Sequence, residues 1–187
     1  KTKKIINIKK PQFSSAKEMF HAVSKCEKAG NSDVILCERG NIFGYNNLVV
    51  DTLNFQILKE RGNPVFFDVT HSLQQPGMLE KSTGGRGQYV FELAKAGISQ
   101  NIAGLFLETH PDPSQAKCDL SLADTRPDTI HRPLGISWPG FGARVRRIRR
   151  PVLKQAPQPP DFGIPSLLIQ HTSGLTANLP WNYSYST

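Results

Sequence analysis

Four short apolar runs recur along the first 110 residues of the chain. They occupy residues 5–8, 34–37, 64–67 and 103–107. Each run is rich in β-branched or aromatic side chains, and none alternates cleanly with polar residues. This pattern is typical of parallel strands that are buried on both faces. The sequence therefore predicts four buried strands.

Three amphipathic patterns between these runs predict helices. The first begins at Ser15 and Glu18, which have the spacing of a capping box, and ends near Gly30. The second covers residues 48–58, and the third covers residues 90–97. Strands and helices therefore alternate along the chain.

The spacing of the strand starts, roughly thirty residues, is typical of βα units with parallel strands and right-handed crossovers. A doubly wound sheet and a TIM barrel both fit this pattern. Charged or polar residues follow every apolar run, as expected at the active-site end of a barrel. The glycine-rich first turn of a doubly wound dinucleotide site is absent. We therefore predict an α/β fold, a partial TIM (β/α)8 barrel of about four βα units with an irregular C-terminal tail.

The composition changes near residue 120. Residues 1–120 have a charge balance of +3, whereas residues 121–187 have +5, no glutamate and nine of the fourteen prolines. We expect a synthase-like barrel domain at 1–119 and an Arg/Pro-rich tail at 120–187 that is disordered or non-native. The basic cluster at 144–150 is also compatible with a non-catalytic protein that binds nucleic acid, although no aromatic residues alternate with the arginines for base stacking. We therefore do not expect nucleic acid to be the partner.

The overall composition narrows the class of protein. With 38% hydrophobic and 20% charged residues, the 187-residue chain is neither a disordered protein nor a membrane protein. Its longest apolar run is far too short to span a bilayer, and the opening residues do not resemble a signal peptide. The three cysteines are widely spaced and odd in number, which favours a reducing compartment. We expect a cytoplasmic protein without a membrane partner.

Two cationic residues stand at the ends of neighbouring predicted strands. Arg39 suits a phosphate or carboxylate through its bidentate fork, and Lys9 suits one as a point charge. Solvated charges at the rim of the fold explain the same spacing equally well. The residues alone therefore do not decide between an anion-binding site and solvated charges.

His71, Glu108 and Asp119 also follow predicted strands. Their side chains are of the types that ligate one divalent metal with an open position for water or substrate. The same side chains can position and activate a water without a metal. A single histidine near a strand is more often structural than a metal ligand. The residues alone therefore do not favour the metal interpretation.

Six stretches together resemble one family, 3-deoxy-D-manno-octulosonate 8-phosphate synthase, also called 2-dehydro-3-deoxyphosphooctonate aldolase. They are NIKKPQF (7–13), LCERG (36–40), FGYNNLVVD (43–51), FDVTHSLQ (67–74), LETHPDP (107–113) and AKCD (116–119). The resemblance covers the C-terminal half of a (β/α)8 barrel and ends at Asp119. It implies a transferase that condenses phosphoenolpyruvate with arabinose 5-phosphate and water, giving the 8-phosphate and inorganic phosphate for lipopolysaccharide biosynthesis.

The resemblance also implies roles for individual residues. Lys9, Gln12 and Arg39 would bind phosphoenolpyruvate, and His71 and Asp119 would be catalytic. In the metal-dependent branch of the family, His71, Glu108 and Asp119 would ligate the metal. The branch stays undecided, so we expect either no cofactor or one divalent metal ion.

Two further expectations follow from the resemblance. Intact members are longer and form homotetramers, so we expect a homo-oligomer, and a fragment of this kind leaves open whether the chain is active by itself. The nearest alternative enzyme is the related synthase that joins phosphoenolpyruvate to erythrose 4-phosphate in aromatic biosynthesis. The stretches at 7–13 and 43–51 argue against that alternative.

Overall fold

The computed structural model describes residues 4–77, 84–109, 166–171 and 176–179. The strands in this part of the chain are β1 (Ile6–Lys9), β2 (Val34–Glu38), β3 (Asn41–Ile42), β4 (Leu48–Val49), β5 (Val65–Asp68), β6 (Gln74–Gln75), β7 (Gly84–Gly85), β8 (Gly104–Thr109), β9 (Ser166–His171) and β10 (Thr176–Leu179). The helices are α1 (Met19–Lys28), α2 (Leu53–Lys59), α3 (Val69–Ser72) and α4 (Val90–Ile98), with a 3₁₀ turn at Gly87–Tyr89.

The main sheet has the strand order β1-β2-β5-β8-β9-β10. Neighbouring strands from β1 to β9 are parallel, and β10 is antiparallel to β9. The strands of the main sheet therefore have the same order in space as along the chain. Helices α1, α2 and α4 lie in the connections between them. A doubly wound sheet reverses its order at a switch point, whereas a barrel does not. The predicted partial α/β barrel is confirmed.

Strands β9 and β10 differ from the predicted irregular tail. β9 pairs with β8 along six residues, with Glu108 opposite Gln170 and Thr109 opposite His171. The reason is local: residues 167–169 are a short apolar run of the same kind as the four predicted strands. The Arg/Pro-rich composition of the tail as a whole concealed this run. The segment between β8 and β9, including the basic cluster, lies outside the described residues.

The second predicted helix begins later than its pattern suggests. Residues 48–49 form β4, which pairs with β3 in an antiparallel hairpin, and α2 begins at Leu53. The Asp51 carboxylate accepts a hydrogen bond from the Leu53 amide at 2.9 Å, which favours a helix start at this point. The apolar residues of β4 pack as a strand, so the prediction of a helix over 48–58 was wrong at its beginning.

The first and third helices lie where the sequence predicts them. At the start of α1, the Ser15 amide donates to the Glu18 carboxylate at 2.7 Å, which is one half of a capping box.

No described helix is long and apolar enough to cross a membrane.

The two faces of the main sheet have separate apolar clusters because side chains alternate along each strand. The face toward the helices contributes Leu36, Phe67 and Leu105 to the larger cluster, together with residues of α1, α2 and α4. The opposite face, which is the interior side of a barrel, contributes a smaller cluster: Ile35, Cys37, Phe66 and Phe106. Each polar residue at a strand end can therefore be assigned either to the helix-facing side or to the barrel-interior side of the main sheet.

Candidate active site

The candidate site lies at the carboxyl ends of the parallel strands. Lys9 ends β1, Asp68 ends β5, and Glu108 lies one residue before the end of β8. The strand register places Lys9 opposite Cys37 and Asp68 opposite Phe106, so these residues share the barrel-interior face. This is the end of a barrel at which active sites are built.

The Asp68 carboxylate is the centre of the cluster. It is fully buried, and its Oδ2 atom lies 2.5 Å from Lys9 Nζ and 2.8 Å from His71 Nδ1. Its Oδ1 atom accepts hydrogen bonds from the Thr70 hydroxyl at 3.2 Å and the His71 amide at 3.1 Å. A buried carboxylate with this many donors is held in its charged form.

His71 lies between two carboxylates. The single turn α3 begins directly after β5 and turns the His71 ring back over Asp68, which precedes it by three residues. On the other side of the ring, Nε2 lies 3.0 Å from Glu108 Oε2. The Glu108 amide in turn donates to the Thr70 hydroxyl at 3.2 Å, which joins β8 to α3.

The two carboxylates make His71 a cation at neutral pH. Burial alone lowers the pKa of His71, but the hydrogen bonds to Asp68 and Glu108 outweigh it and raise the pKa to about 9. The hydrogen bond from His71 lowers the pKa of Glu108. Burial raises the pKa of Asp68, yet His71 and Lys9 together lower it below its usual value. The cluster therefore carries two positive and two negative charges at neutral pH.

Lys9 completes this cluster from β1. Its ammonium lies 3.7 Å from the centre of the Phe106 ring and 3.4 Å from His71 Nδ1. About a third of the side chain is exposed (35%), in contrast to Asp68. Lys9 is thus anchored by a carboxylate and an aromatic face while part of it stays accessible to a ligand.

Arg39 lies next to this cluster with an incompletely used guanidinium. Its Nη2 donates to Gln74 Oε1 at 2.6 Å, while its buried Nη1 has no hydrogen-bond partner among the described residues. The side chain is buried, which lowers the pKa of Arg39, and the charge of Asp68 partly offsets this effect. A buried guanidinium that lacks an acceptor is costly, so this geometry suits an anionic ligand.

Of the other two predicted site residues, the structure describes Gln12 alone. Gln12 lies half-buried in the loop after β1, where its carbonyl accepts from the Ile42 amide at 2.9 Å. Asp119 lies outside the described residues. The structure therefore brings Lys9, His71 and Glu108 into one cluster with Asp68.

The sequence did not assign roles to three residues that organise the site. They are Asp68, Gln74 and Phe106, which contact His71, Arg39 and Lys9 respectively. Asp68 directly follows a buried apolar run and precedes His71 by three residues, which is the spacing of a short capped turn. That spacing was the one available signal, whereas the contacts of Gln74 and Phe106 depend on strand register.

Two of the three predicted metal ligands fit a shared ion. His71 Nε2 and Glu108 Oε2 lie 3.0 Å apart, and Asp68 contacts the other ring nitrogen, as carboxylates do when they orient a histidine that ligates a metal. A metal at this place would have to displace the proton between Nε2 and Oε2. No group of three or more candidate ligands is arranged for a metal within residues 4–77 and 84–109.

The raised pKa of His71 predicts that stability falls in mildly alkaline solution. The stabilisation is fully present below the unfolded-state pKa of 6.5 and is lost as the pH rises through about 9. We expect the free energy of unfolding, measured with urea and a metal chelator, to drop by about 3 kcal/mol between pH 6.5 and 9.5. His71→Gln should abolish the drop, whereas His21→Gln, at an exposed position, should retain it. An equal drop in the His71→Gln variant would contradict the assignment.

Comparison with known proteins agrees with this geometry. The sequence model of the DAHP synthetase I family matches residues 1–133. The chain belongs to the DAHP synthetase I family. The match covers every described strand from β1 to β8, and therefore the whole cluster around Asp68.

Curated relatives carry a more specific name within the DAHP synthetase I family. The chain is 65% identical over 119 residues to the 2-dehydro-3-deoxyphosphooctonate aldolase of Pseudomonas syringae pv. tomato. It is 64% identical over 119 residues to proteins of the same name from Pseudomonas fluorescens and Azotobacter vinelandii. Each match covers 64% of this chain and 42% of the relative, so the chain spans less than half the length of these proteins.

Proposed function

We propose that the chain belongs to a 3-deoxy-D-manno-octulosonate 8-phosphate synthase and carries its phosphoenolpyruvate site. The overall reaction joins phosphoenolpyruvate, arabinose 5-phosphate and water, and gives the 8-phosphate and inorganic phosphate. The observation that carries the proposal is the cluster of Lys9, Arg39, Asp68, His71 and Glu108 at adjacent strand ends. The names of the curated relatives support the same reaction.

The cationic part of the site suits the charges of phosphoenolpyruvate. That substrate carries a phosphate and a carboxylate, and it needs more than one cationic group to bind them. Arg39 has a buried donor without a partner, and Lys9 is held by Asp68 with part of its surface open. In our proposal these two residues, with Gln12, bind the anionic groups of phosphoenolpyruvate.

The His71 side of the site suits the water that the reaction consumes. His71 holds a proton on Nε2 against Glu108, so this pair can give a proton to, or take one from, a water or a departing oxygen. In the metal-dependent form, His71, Glu108 and Asp119 would hold a divalent ion, which would lower the pKa of a bound water. Both forms use the same residues.

The proposal extends to the cell compartment and to self-association. Free Cys26 and Cys37 are compatible with the reducing cytoplasm. Exposed apolar side chains support a homo-oligomer, because such side chains commonly mark protein contacts when they lie together. They are Phe13, Ile42, Phe43 and Tyr45, and the hydrogen bond from the Ile42 amide to the Gln12 carbonyl joins the two segments that carry them.

A chimera tests the proposed reaction. The matched 119 residues replace their counterpart in the Pseudomonas syringae aldolase, which supplies the remainder of the barrel. We expect phosphate release that requires both phosphoenolpyruvate and arabinose 5-phosphate. Substituting His71→Ala in the chimera should reduce turnover by about 100-fold or more, the usual contribution of a proton-transferring group.

The controls separate a failed function from a failed fold. Lys17→Met, at an exposed position on the same segment, should leave turnover unchanged. A chimera that melts cooperatively but releases no phosphate would refute the proposal. Faster turnover with erythrose 4-phosphate than with arabinose 5-phosphate would instead support the alternative synthase.

A further inference from the structure

A second ion pair lies directly behind the candidate site. Lys10 and Glu38 are 1% and 0% exposed, and Lys10 Nζ lies 3.3 Å from Glu38 Oε1. Because side chains alternate along a strand, Lys10 and Glu38 lie on the helix-facing side, opposite to Lys9. The proposed reaction gives neither residue a role.

Glu38 forms the turn that carries Arg39. Its Oε1 atom accepts hydrogen bonds from the Arg39 amide at 2.9 Å and the Gly40 amide at 2.7 Å. Gly40 has a φ of +83°, and a Cβ at this residue would lie 3.4 Å from Leu48 Cβ. The backbone on both sides of the Arg39 side chain is therefore fixed by one carboxylate oxygen.

Lys10 joins this turn to the loop after β1. Its ammonium donates to the Gly40 carbonyl and the Pro11 carbonyl at 3.2 Å each, and to Asn41 Oδ1 at 2.5 Å. Burial lowers the pKa of Lys10, and the charge of Glu38 counteracts that effect. Lys10 and Glu38 thus connect the carboxyl ends of β1 and β2 on the helix-facing side of the sheet. These two strand ends carry Lys9 and Arg39.

We propose that Lys10 and Glu38 are positioning residues, which hold Arg39 so that its Nη1 stays available to an anionic ligand. This inference rests on the proposed function, because the ligand is the anionic group of phosphoenolpyruvate. A buried ion pair seldom improves stability over an apolar pair of similar size. Glu38 Oε2 is also buried without a hydrogen-bond partner among the described residues, as expected of a carboxylate placed for geometry rather than for stability.

Two double variants isolate the contribution of the acceptor oxygen. Lys10→Met with Glu38→Gln removes both charges but keeps an oxygen for the two amides. Lys10→Met with Glu38→Leu also removes that oxygen. With phosphoenolpyruvate and inorganic phosphate as probes in calorimetry on the 187-residue chain, we expect the Gln variant to bind within about threefold of wild type. We expect the Leu variant to bind about tenfold more weakly, which is the loss of one charge-assisted hydrogen bond.

Two readouts distinguish positioning from a merely structural role. Amide hydrogen exchange at Arg39 and Gly40 should accelerate in the Leu variant, while exchange at Phe67 should not change. As a matched control, Glu27→Leu with Arg61→Met removes the exposed ion pair between α1 and the segment after α2, at 2.9 Å. This control should bind both probes as wild type does.

The outcomes are decisive even if the Leu variant does not fold. Glu38→Asp keeps the charge but is one methylene shorter, which moves the carboxylate away from Lys10, so it should also weaken binding. Equal affinity of a folded Leu or Asp variant and wild type would overturn the proposal. A wild-type chain that binds neither probe would overturn it as well, and turnover of the chimera then decides separately whether the proposed function survives.

Discussion

Asp68→Asn should cause the largest loss of any single substitution in the candidate site. Asn has the shape of Asp but no charge, so Lys9 and His71 would face a buried neutral amide. We expect the free energy of unfolding at pH 7 to fall by about 3 kcal/mol, since one partner of a buried charge cluster is removed. We also expect the pKa of His71 to fall from about 9 by about one to three units.

The measurement is a urea titration combined with an NMR titration of the His71 ring in chelator. Asp51→Asn is a matched control, because Asp51 is exposed and accepts only a local hydrogen bond from the Leu53 amide. That control should cost less than about 0.5 kcal/mol, because Asn caps a helix about as well as Asp does, and it should leave His71 unchanged. A His71 pKa that stays near 9 in Asp68→Asn would show that Glu108 alone holds the imidazolium.

The strand ends were the most predictable part of this protein. A buried parallel strand needs an uninterrupted apolar run, so the first polar residue after it marks the carboxyl end of the strand. This rule selects Lys9, Glu38, Asp68 and Glu108, and the candidates Arg39 and His71 follow within three residues. Their roles remain proposals, but the structure places all six at that end of the main sheet.

The connections within the site were much less predictable. Asp68 contacts Lys9 across 59 positions of the chain, and Arg39 contacts Gln74 across 35. Such contacts depend on the register of one strand against the next, which apolar runs do not encode. For the same reason, strand β4 was predicted as part of a helix.

Strand alternation explains why two adjacent lysines have different surroundings. Lys9 pairs with Asp68 on the interior face and stays partly open, whereas Lys10 pairs with Glu38 on the opposite side and is fully buried. Nothing in the sequence distinguishes the two lysines until the register of β1 against β2 is known. The two ion pairs therefore form two layers, with Lys9 and Asp68 on the barrel-interior face and Lys10 and Glu38 on the helix-facing side.

The packing of α4 against the main sheet is a second place where one added carbon atom should change the stability of the protein. Gly97 of α4 lies against the Phe67 ring, so a Cβ at this position would overlap Phe67 Cδ1 and lie 3.1 Å from Cε1. Phe67 is fully buried and packs edge-to-face on Phe55, with 5.1 Å between ring centroids. The ring cannot move away without disturbing the core between the sheet and the helices.

Gly97→Ala should therefore destabilise the protein although alanine is the better helix former. Overpacking costs about 3 kcal/mol, and the gain in helix propensity offsets about 1 kcal/mol, which leaves about 2 kcal/mol in urea unfolding. Ala96→Gly, at the exposed neighbouring position, measures the propensity effect alone and should cost about 1 kcal/mol.

A double-mutant cycle with Phe67→Leu tests the cause. The smaller side chain leaves room for the new methyl group, so Gly97→Ala should be neutral or stabilising in that background, with a coupling energy of about 2 kcal/mol. If Gly97→Ala costs the same with Phe67 or Leu at that position, the Phe67 ring is not what excludes a side chain there. Close contact between α4 and β5 would then have another origin.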